Sequence, residues 1–203
     1  QEATLPLGKN DLRIFLDMDG CVYDWMGKAM DIFDVDPADP KNRDILKYDD
    51  DSLFELRDKT HVYDVIDQMG EQFWENLHLL PWGRALYEGL KKRGKVVFLT
   101  SPGKWAAAAQ GKVRAIRRDF DTSKILVGRS KEYCAHPNAI LIDDKKSNIE
   151  NFIEAGGTGF LWPNQYRIED GDIEVEKVLE SCFKEVEKLS HKIRERQKRY
   201  VPA

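Results

Sequence analysis

The sequence predicts an α/β protein in which helices cover a parallel sheet and a small helical cap follows the first strand. Five short apolar runs, rich in β-branched residues, alternate with amphipathic stretches of helix length. The runs are continuously apolar, as is typical of strands covered by helices on both faces. They lie at residues 13–17, 95–100, 124–127, 139–142 and 158–162. This alternation predicts right-handed crossovers and a Rossmann-like, doubly wound sheet.

The interval between the first two strands is much longer than one crossover helix requires. It contains helical patterning at residues 52–57 and 62–77, and a turn rich in Pro and Asp at residues 36–40. We interpret it as an inserted cap. Between the later strands, helices are expected at residues 84–93, 104–119 and 147–155.

The C-terminal stretch at residues 172–199 has apolar residues at the three-and-four spacing of a helix. It predicts one long helix that packs on the sheet or on a partner, so a second copy of the chain could bind there. Acidic residues interleave with its basic end, which indicates a solvated face. The expected parts of the chain are a core at residues 11–25 and 81–171, a cap at 26–80 and this helix at 172–203.

Composition excludes several classes of protein. The 203 residues are 41% hydrophobic and 33% charged, which excludes a collagen, a low-complexity polymer and a typical disordered chain. With 36 acidic against 32 basic residues, the net charge of −4 argues against a surface that binds long nucleic acid. A small-molecule ligand is therefore favoured.

The sequence also gives expectations about the compartment. No apolar run is long enough to span a membrane, and the start lacks the basic and apolar segments of a secretion signal. Cys21, Cys134 and Cys182 form no Cys-x-x-Cys pair, which predicts neither a disulfide framework nor a zinc site. We expect a cytoplasmic protein with no membrane partner.

Polar residues follow the predicted strands, where ligands of open parallel sheets bind. These segments are Asp17-Met18-Asp19-Gly20, Thr100-Ser101-Pro102-Gly103, Arg129-Ser130-Lys131 and Asp143-Asp144. Each segment alone is weak evidence, because short acidic or hydroxyl segments are common at turns. Together they bring four carboxylates, two hydroxyls and a lysine to one sheet edge. Such crowding of like charge favours a site for a cation and an anion.

Phosphoryl transfer suits this set of side chains. Carboxylate oxygens from Asp17, Asp19, Asp143 and Asp144 make a hard site for Mg²⁺. Hydroxyls and a lysine can hold the phosphate oxygens and the charge that develops during transfer. One carboxylate can attack phosphorus while another moves the proton.

These motifs, in this order, resemble those of the haloacid dehalogenase superfamily of phosphohydrolases. The resemblance implies that Asp17 is the nucleophile, and that Asp19 is the general acid and base and offers its main-chain carbonyl to the metal. It implies that Thr100, or in second place Ser101, binds the phosphoryl group and that Lys131 neutralises it. Of the acidic pair, Asp144 is the preferred direct Mg²⁺ ligand and Asp143 the supporting residue.

A narrower resemblance is to the 5′(3′)-deoxyribonucleotidases and related phage and bacterial proteins. It rests on the Asp-Met-Asp-Gly start, Trp25 eight residues after the nucleophile, the Thr-Ser-Pro segment and Ile-Asp-Asp-Lys. It implies that Trp25 stacks on a nucleobase, with Phe73 and Trp74 adding to that wall. The third motif departs from the nucleotidases, since Gly128-Arg129-Ser130-Lys131 stands where they have Thr-Arg-Asp-Lys.

The resulting hypothesis is a magnesium-dependent phosphomonoester hydrolase that forms an aspartyl phosphate, with a 5′-nucleotidase acting on (deoxy)nucleoside monophosphates as the leading interpretation. Two alternatives remain open. The same chemistry could serve a sugar phosphate or a polynucleotide 3′-phosphate, or the chain could be a non-catalytic binding protein that keeps the fold. For the aromatic residues, packing in the core or cap is the competing interpretation.

Overall fold

A five-stranded parallel sheet forms the centre of the molecule. The computed structural model describes residues 11–47, 58–103 and 106–199. The strands are β1 (Arg13–Leu16), β2 (Lys95–Thr100), β3 (Ile125–Val127), β4 (Ala139–Asp143) and β5 (Thr158–Leu161). Their order in the sheet is β3-β2-β1-β4-β5, and every neighbouring pair is parallel. The predicted fold class is confirmed.

Strand β1 lies at the centre of the sheet because later strands pair on both of its sides. Arg13 is in register with Lys95 of β2 and with Ala139 of β4. The carboxyl ends of β1, β2 and β4 therefore lie side by side. Strand β4 is buried throughout its length, so the apolar runs reflect a sheet covered on both faces.

Helices and one short 3₁₀ helix connect the strands. Between β1 and β2 lie α1 (Trp25–Ile32), α2 (Pro40–Leu46), α3 (Lys59–Met69), α4 (Glu71–Glu75) and α5 (Gly83–Lys91). After β2 come α6 (Ala106–Phe120), the 3₁₀ helix (Lys131–Cys134), α7 (Lys146–Glu154), α8 (Gln165–Glu169) and α9 (Val175–Arg199). The predicted helix at residues 52–57 lies outside the described residues.

The helix predicted over residues 62–77 is wrong as one element. The structure ends α3 at Met69 and begins α4 at Glu71, with Gly70 between them at φ +63°. An L side chain rarely adopts this conformation, so glycine permits the break. The apolar periodicity continues across it, which is why the pattern suggested one helix.

The inserted helices α1 to α4 pack into the same hydrophobic cluster as the sheet. Met30 of α1, Ile66 of α3 and Phe73 of α4 share this cluster with Ile14 and Leu16 of β1. The division of the chain into a core and a separate cap therefore stays a prediction.

The C-terminal helix α9 packs along the sheet and α5. Its buried residues are Cys182, Val186, Leu189 and Ile193. A β-carbon at Gly89 of α5 would collide with the ring of Phe183, so glycine permits this close approach. Within the described residues, no helix is long and apolar enough to cross a membrane. Self-association through α9 stays a prediction.

Candidate active site

The topology brings the predicted motif residues together at the carboxyl edge of the sheet. Asp17 directly follows β1, Thr100 ends β2 and Asp143 ends β4, while Lys131 begins the 3₁₀ helix after β3. The backbone N–H of Asp17 donates to the carbonyl oxygen of Ile142 at 2.9 Å, which fixes the start of the first motif against β4.

Lys131 joins two buried carboxylates. Its Nζ donates to Asp17 Oδ1 at 2.5 Å and to Asp143 Oδ2 at 2.6 Å. Asp143 also accepts hydrogen bonds from the backbone N–H of Lys145 and from the amide of Asn148. These bonds commit Asp143 to holding Lys131, whereas Asp17 lines an open pocket.

The electrostatics of this cluster follow from burial. Burial raises the pKa of the Asp17 carboxyl above its usual range; the Lys131 charge lowers it, and the Asp143 and Asp19 charges raise it further. For Lys131, burial lowers the pKa, but the charges of Asp17 and Asp143 outweigh burial and the net pKa is raised. The lysine therefore stays charged, and two carboxylates share its one positive charge.

A second buried lysine, Lys112, was missed by sequence reasoning, which assigned it no role. Its side chain is 2% exposed, and its ammonium contacts Asp19 Oδ2. It also donates to the Ser101 carbonyl oxygen at 2.7 Å and lies 3.3 Å from Thr100 Oγ1. On its other side it sits over the ring of Trp74, 4.4 Å from the centroid.

A signal for Lys112 is present in the sequence. In α6 the buried residues recur at three-and-four spacing and are Ala108, Gly111, Lys112, Ala115, Ile116 and Phe120. A lysine within the apolar stripe of an amphipathic helix indicates a buried charge, which requires a partner.

The remaining motif residues face Lys112 or the pocket. Asp19 Oδ1 is buried and accepts no hydrogen bond from the described residues, while Oδ2 is held by Lys112. Thr100 is fully buried beside Lys112, whereas Ser101 lines the pocket. Asp144, which follows β4, lines the pocket next to Asp17.

Aromatic residues from the insertion form one wall of this pocket. Trp25 begins α1, Tyr63 lies in α3 and Trp74 lies in α4, and all three line the pocket. Phe73 does not line it, because its ring is fully buried and packs edge-on behind Trp74 with centroids 4.8 Å apart. The prediction that Phe73 forms part of this wall is therefore wrong, and its ring instead packs against Trp74. Tyr63 was not predicted.

Comparison with known proteins gives the family. Residues 10–192 match the model of the 5′ nucleotidase, deoxy (Pyrimidine), cytosolic type C protein family. The chain belongs to this family. The motif residues and this match identify it as an enzyme, a phosphohydrolase of the haloacid dehalogenase superfamily.

Solved structures are similar to this nucleotidase-family chain at low sequence identity. A hydrolase from Streptococcus pneumoniae TIGR4 is 12% identical, with a TM-score of 0.50, and the match covers 81% of this chain and 100% of that one. A haloacid dehalogenase-like family hydrolase from Xanthomonas campestris is 14% identical, with a TM-score of 0.48 and coverages of 77% and 83%. No curated protein matches the chain.

The donors near Asp17 fit a divalent cation. One carboxylate oxygen from each of Asp17 and Asp144, together with Cys21 Sγ, lies within 4.8 Å of the others. Carboxylate oxygens are the ligands that Mg²⁺ prefers. Burial raises the pKa of the Cys21 thiol well above its usual value, and the Asp144 and Asp17 charges add to this. The side chains of Asp143 and Asp19 bond instead to the two lysines.

Proposed function

We propose that this nucleotidase-family protein hydrolyses (deoxy)nucleoside 5′-monophosphates in a magnesium-dependent reaction that passes through an aspartyl phosphate on Asp17. One observation carries the proposal. Asp17, held by Lys131, lines the same pocket as the aromatic side chains of Trp25, Tyr63 and Trp74, which supports this proposal. Such a pocket combines a phosphate end with faces on which a base can stack.

In the first step, a carboxylate oxygen of Asp17 attacks phosphorus and an O–P bond forms. The ester O–P bond breaks as Asp19 gives a proton to the leaving oxygen of the nucleoside. Asp19 lines the pocket, and the contact of Lys112 with its Oδ2 holds the carboxyl group in place for this transfer.

In the second step, Asp19 removes a proton from water as the water oxygen binds phosphorus. The acyl phosphate O–P bond then breaks, which releases phosphate and restores Asp17. Lys131 balances the negative charge that develops on the phosphoryl oxygens, and Ser101 and Thr100 bind those oxygens. The buried ion pair of Lys131 with Asp143 keeps its ammonium in place through both steps.

Asp17 and Asp144 would hold Mg²⁺, together with the main-chain carbonyl of Asp19. When bound, the ion would supply positive charge that reduces the repulsion between the nucleophile and the phosphate. Asp143 takes a supporting role because its hydrogen bonds to Lys131, Lys145 and Asn148 already engage both of its oxygens.

The aromatic wall favours a nucleotide over a sugar phosphate. Three aromatic side chains offer stacking area to a base, and a sugar phosphate has no aromatic ring to stack on them. Beyond the two buried lysines, the basic residue that lines the pocket in the described part of the chain is Lys145. A polynucleotide end would be better served by a row of basic residues.

A screen of phosphomonoesters at saturating Mg²⁺, combined with Asp17→Asn, tests this function. We expect the deoxynucleoside monophosphates to give the highest kcat/KM, and Asp17→Asn to lower kcat on the order of 10⁴-fold while the Tm stays close to that of the native chain. Preference for sugar phosphates would contradict the assigned substrate, and an active Asp17→Asn variant would contradict the nucleophile. Inactivity across the whole panel would favour a binding protein.

A further inference from the structure

A cysteine thiol lies beside the two carboxylates assigned to the metal, and the mechanism gives it no role. Cys21 is fully buried, and its Sγ lies within 4.8 Å of a carboxylate oxygen of Asp17 and of one of Asp144. All three donors come from the segments that follow β1 and β4.

The backbone holds Cys21 in this place through a tight turn. Gly20 has φ +73° and donates its N–H to the Tyr23 carbonyl oxygen at 3.0 Å, while Val22 donates to the Met18 carbonyl at 3.0 Å. The indole N–H of Trp82 donates to the Cys21 carbonyl oxygen at 3.0 Å. Because the chain is fixed on both sides of Cys21, the thiol stays next to the carboxylates.

We propose that this position is a mixed oxygen and sulfur site, which binds a thiophilic divalent cation such as Cd²⁺ or Zn²⁺ through Cys21, Asp17 and Asp144. The proposal rests on the proposed function in one respect, the placing of the Mg²⁺ site at the same two carboxylates. Thiolate is a soft ligand that Mg²⁺ does not use, whereas Zn²⁺ accepts both cysteine sulfur and carboxylate oxygen.

Binding exchanges a proton for a metal ion without any change in oxidation state. The S–H bond of Cys21 breaks, its proton goes to the solvent, and the sulfur–metal bond forms. The two positive charges of the ion then offset the thiolate and one carboxylate, while Lys131 stays between Asp17 and Asp143. Because Asp17 becomes a ligand to this ion, the bound cation competes with Mg²⁺ and inhibits hydrolysis.

The test is a Cd²⁺ titration of the full, Mg²⁺-free chain, followed by the ultraviolet sulfur-to-cadmium charge-transfer band. The matched variants are Cys21→Ser and Cys134→Ser, since Cys134 is a half-buried thiol outside the cluster. In the native chain and in Cys134→Ser, we expect the band to saturate at one ion per chain. Cys21→Ser should lose the band and bind Cd²⁺ roughly 10- to 100-fold more weakly.

Two further measurements test the same site, one by competition with Mg²⁺ and one with a second variant. Added Mg²⁺ should raise the apparent Kd of the native chain for Cd²⁺, because both ions need Asp17 and Asp144. If Cys21→Ser does not fold by circular dichroism, Asp144→Asn replaces it and should weaken the band while all three thiols remain. A band that persists in Cys21→Ser, no band in the native chain at saturating Cd²⁺, or no competition by Mg²⁺ would overturn the proposal.

The titration does not depend on turnover. Hydrolysis of nucleotides without a charge-transfer band would remove this inference and leave the proposed function intact. If the band appears in a chain that hydrolyses no phosphomonoester, the proposed metal site stands and the proposed function fails.

Discussion

The two buried lysines of the pocket, Lys131 and Lys112, take their partners from different elements of the fold. On the strand-end side, Lys131 pairs with Asp17 and Asp143, and all three lie at or after the ends of β1, β3 and β4. On the insertion side, Lys112 of α6 contacts Asp19 and lies over Trp74, which comes from the inserted helix α4.

The two lysines therefore hold different carboxylates: Lys131 holds Asp17, and Lys112 holds Asp19. The proposed nucleophile and its cation are held by the ends of β1 and β4, the 3₁₀ helix and α7, so these hydrogen bonds do not involve the inserted helices. Asp19, the proposed proton-transfer residue, shares Lys112 with Trp74, which we assign to the base-binding wall. If these roles hold, contacts with the base can affect proton transfer through Lys112, whereas the bonds of Asp17 to Lys131 are separate from them.

Lys131→Met should have the largest effect, since it removes the cation from the strand-end side. Asp17 and Asp143 would remain as adjacent buried carboxylates, which costs about 3–5 kcal/mol of unfolding free energy. We expect kcat to fall on the order of 10³-fold. Denaturant unfolding and steady-state kinetics measure the two effects.

The double variant Lys131→Met with Asp143→Asn separates stability from chemistry. It removes one of the two unbalanced charges, so unfolding free energy should recover in part while kcat stays low. Recovery of kcat as well would show that Lys131 serves only to neutralise Asp143, and the strand-end side would then lack its proposed catalytic cation.

Lys112→Met should have a smaller effect on kcat, on the order of 10²-fold, because it disturbs the proton transfer and leaves the nucleophile in place. A double-mutant cycle with Trp74→Leu tests the link to the insertion. Coupling of about 0.5–1 kcal/mol is expected between Lys112 and Trp74 from their cation–π contact. The same cycle between Lys131 and Trp74 should give no coupling energy. Equal coupling energies in both cycles would show that Trp74 acts on both lysines alike.

The strand-end side is also the part of the molecule that the sequence predicted best. Each predicted strand agrees with the structure to within one residue at either end. Continuous apolar runs and the polar residues that follow them are local signals, and parallel pairing then forces those residues to one edge. Asp17, Lys131 and Asp143 could therefore be placed together before any contact was known.

The insertion side could not be predicted in the same way because it depends on contacts between distant segments. Lys112 meets Asp19 across 93 positions of sequence, and its own helix gives only a weak sign of burial. Trp74 was named only through the family resemblance and Tyr63 not at all, because both reach the pocket through the packing of α3 and α4, and the break at Gly70 sets the direction of α4. Periodicity identifies an apolar face but not the element on which it packs.

Gly111→Ala should loosen the insertion without touching a catalytic side chain. A β-carbon at Gly111 would collide with the Glu71 carbonyl oxygen and lie 2.8 Å from Trp74 Cβ, so α4 must move away from α6. We expect a loss of about 1–3 kcal/mol in unfolding free energy and a higher KM for nucleotides. Gly128→Ala is the matched control, because a β-carbon there meets no atom within 4 Å. Equal effects of the two substitutions would show that the contact between α4 and α6 does not position the wall.

Arg43→Ala should have the smallest effect, because it weakens an attachment of the insertion that lies away from both lysines. Arg43 of α2 pairs with Glu169 at 3.0 Å and with Asp170 at 2.6 Å, and its guanidinium lies 4.5 Å from the Tyr166 ring centroid. These groups are partly exposed, and such ion pairs contribute little in water. We expect a Tm lower by a few degrees at low salt, a smaller difference at high salt and an unchanged kcat.

The matched control for Arg43→Ala is Lys184→Ala, which breaks an exposed pair with Glu180 on α9 and should leave the Tm unchanged. Because neither Arg43 nor its partners contact Lys112 or Trp74, a fall in kcat would mean that α2 also acts on the proton-transfer residue. The insertion would then affect kcat through α2 as well as through the contact of Trp74 with Lys112.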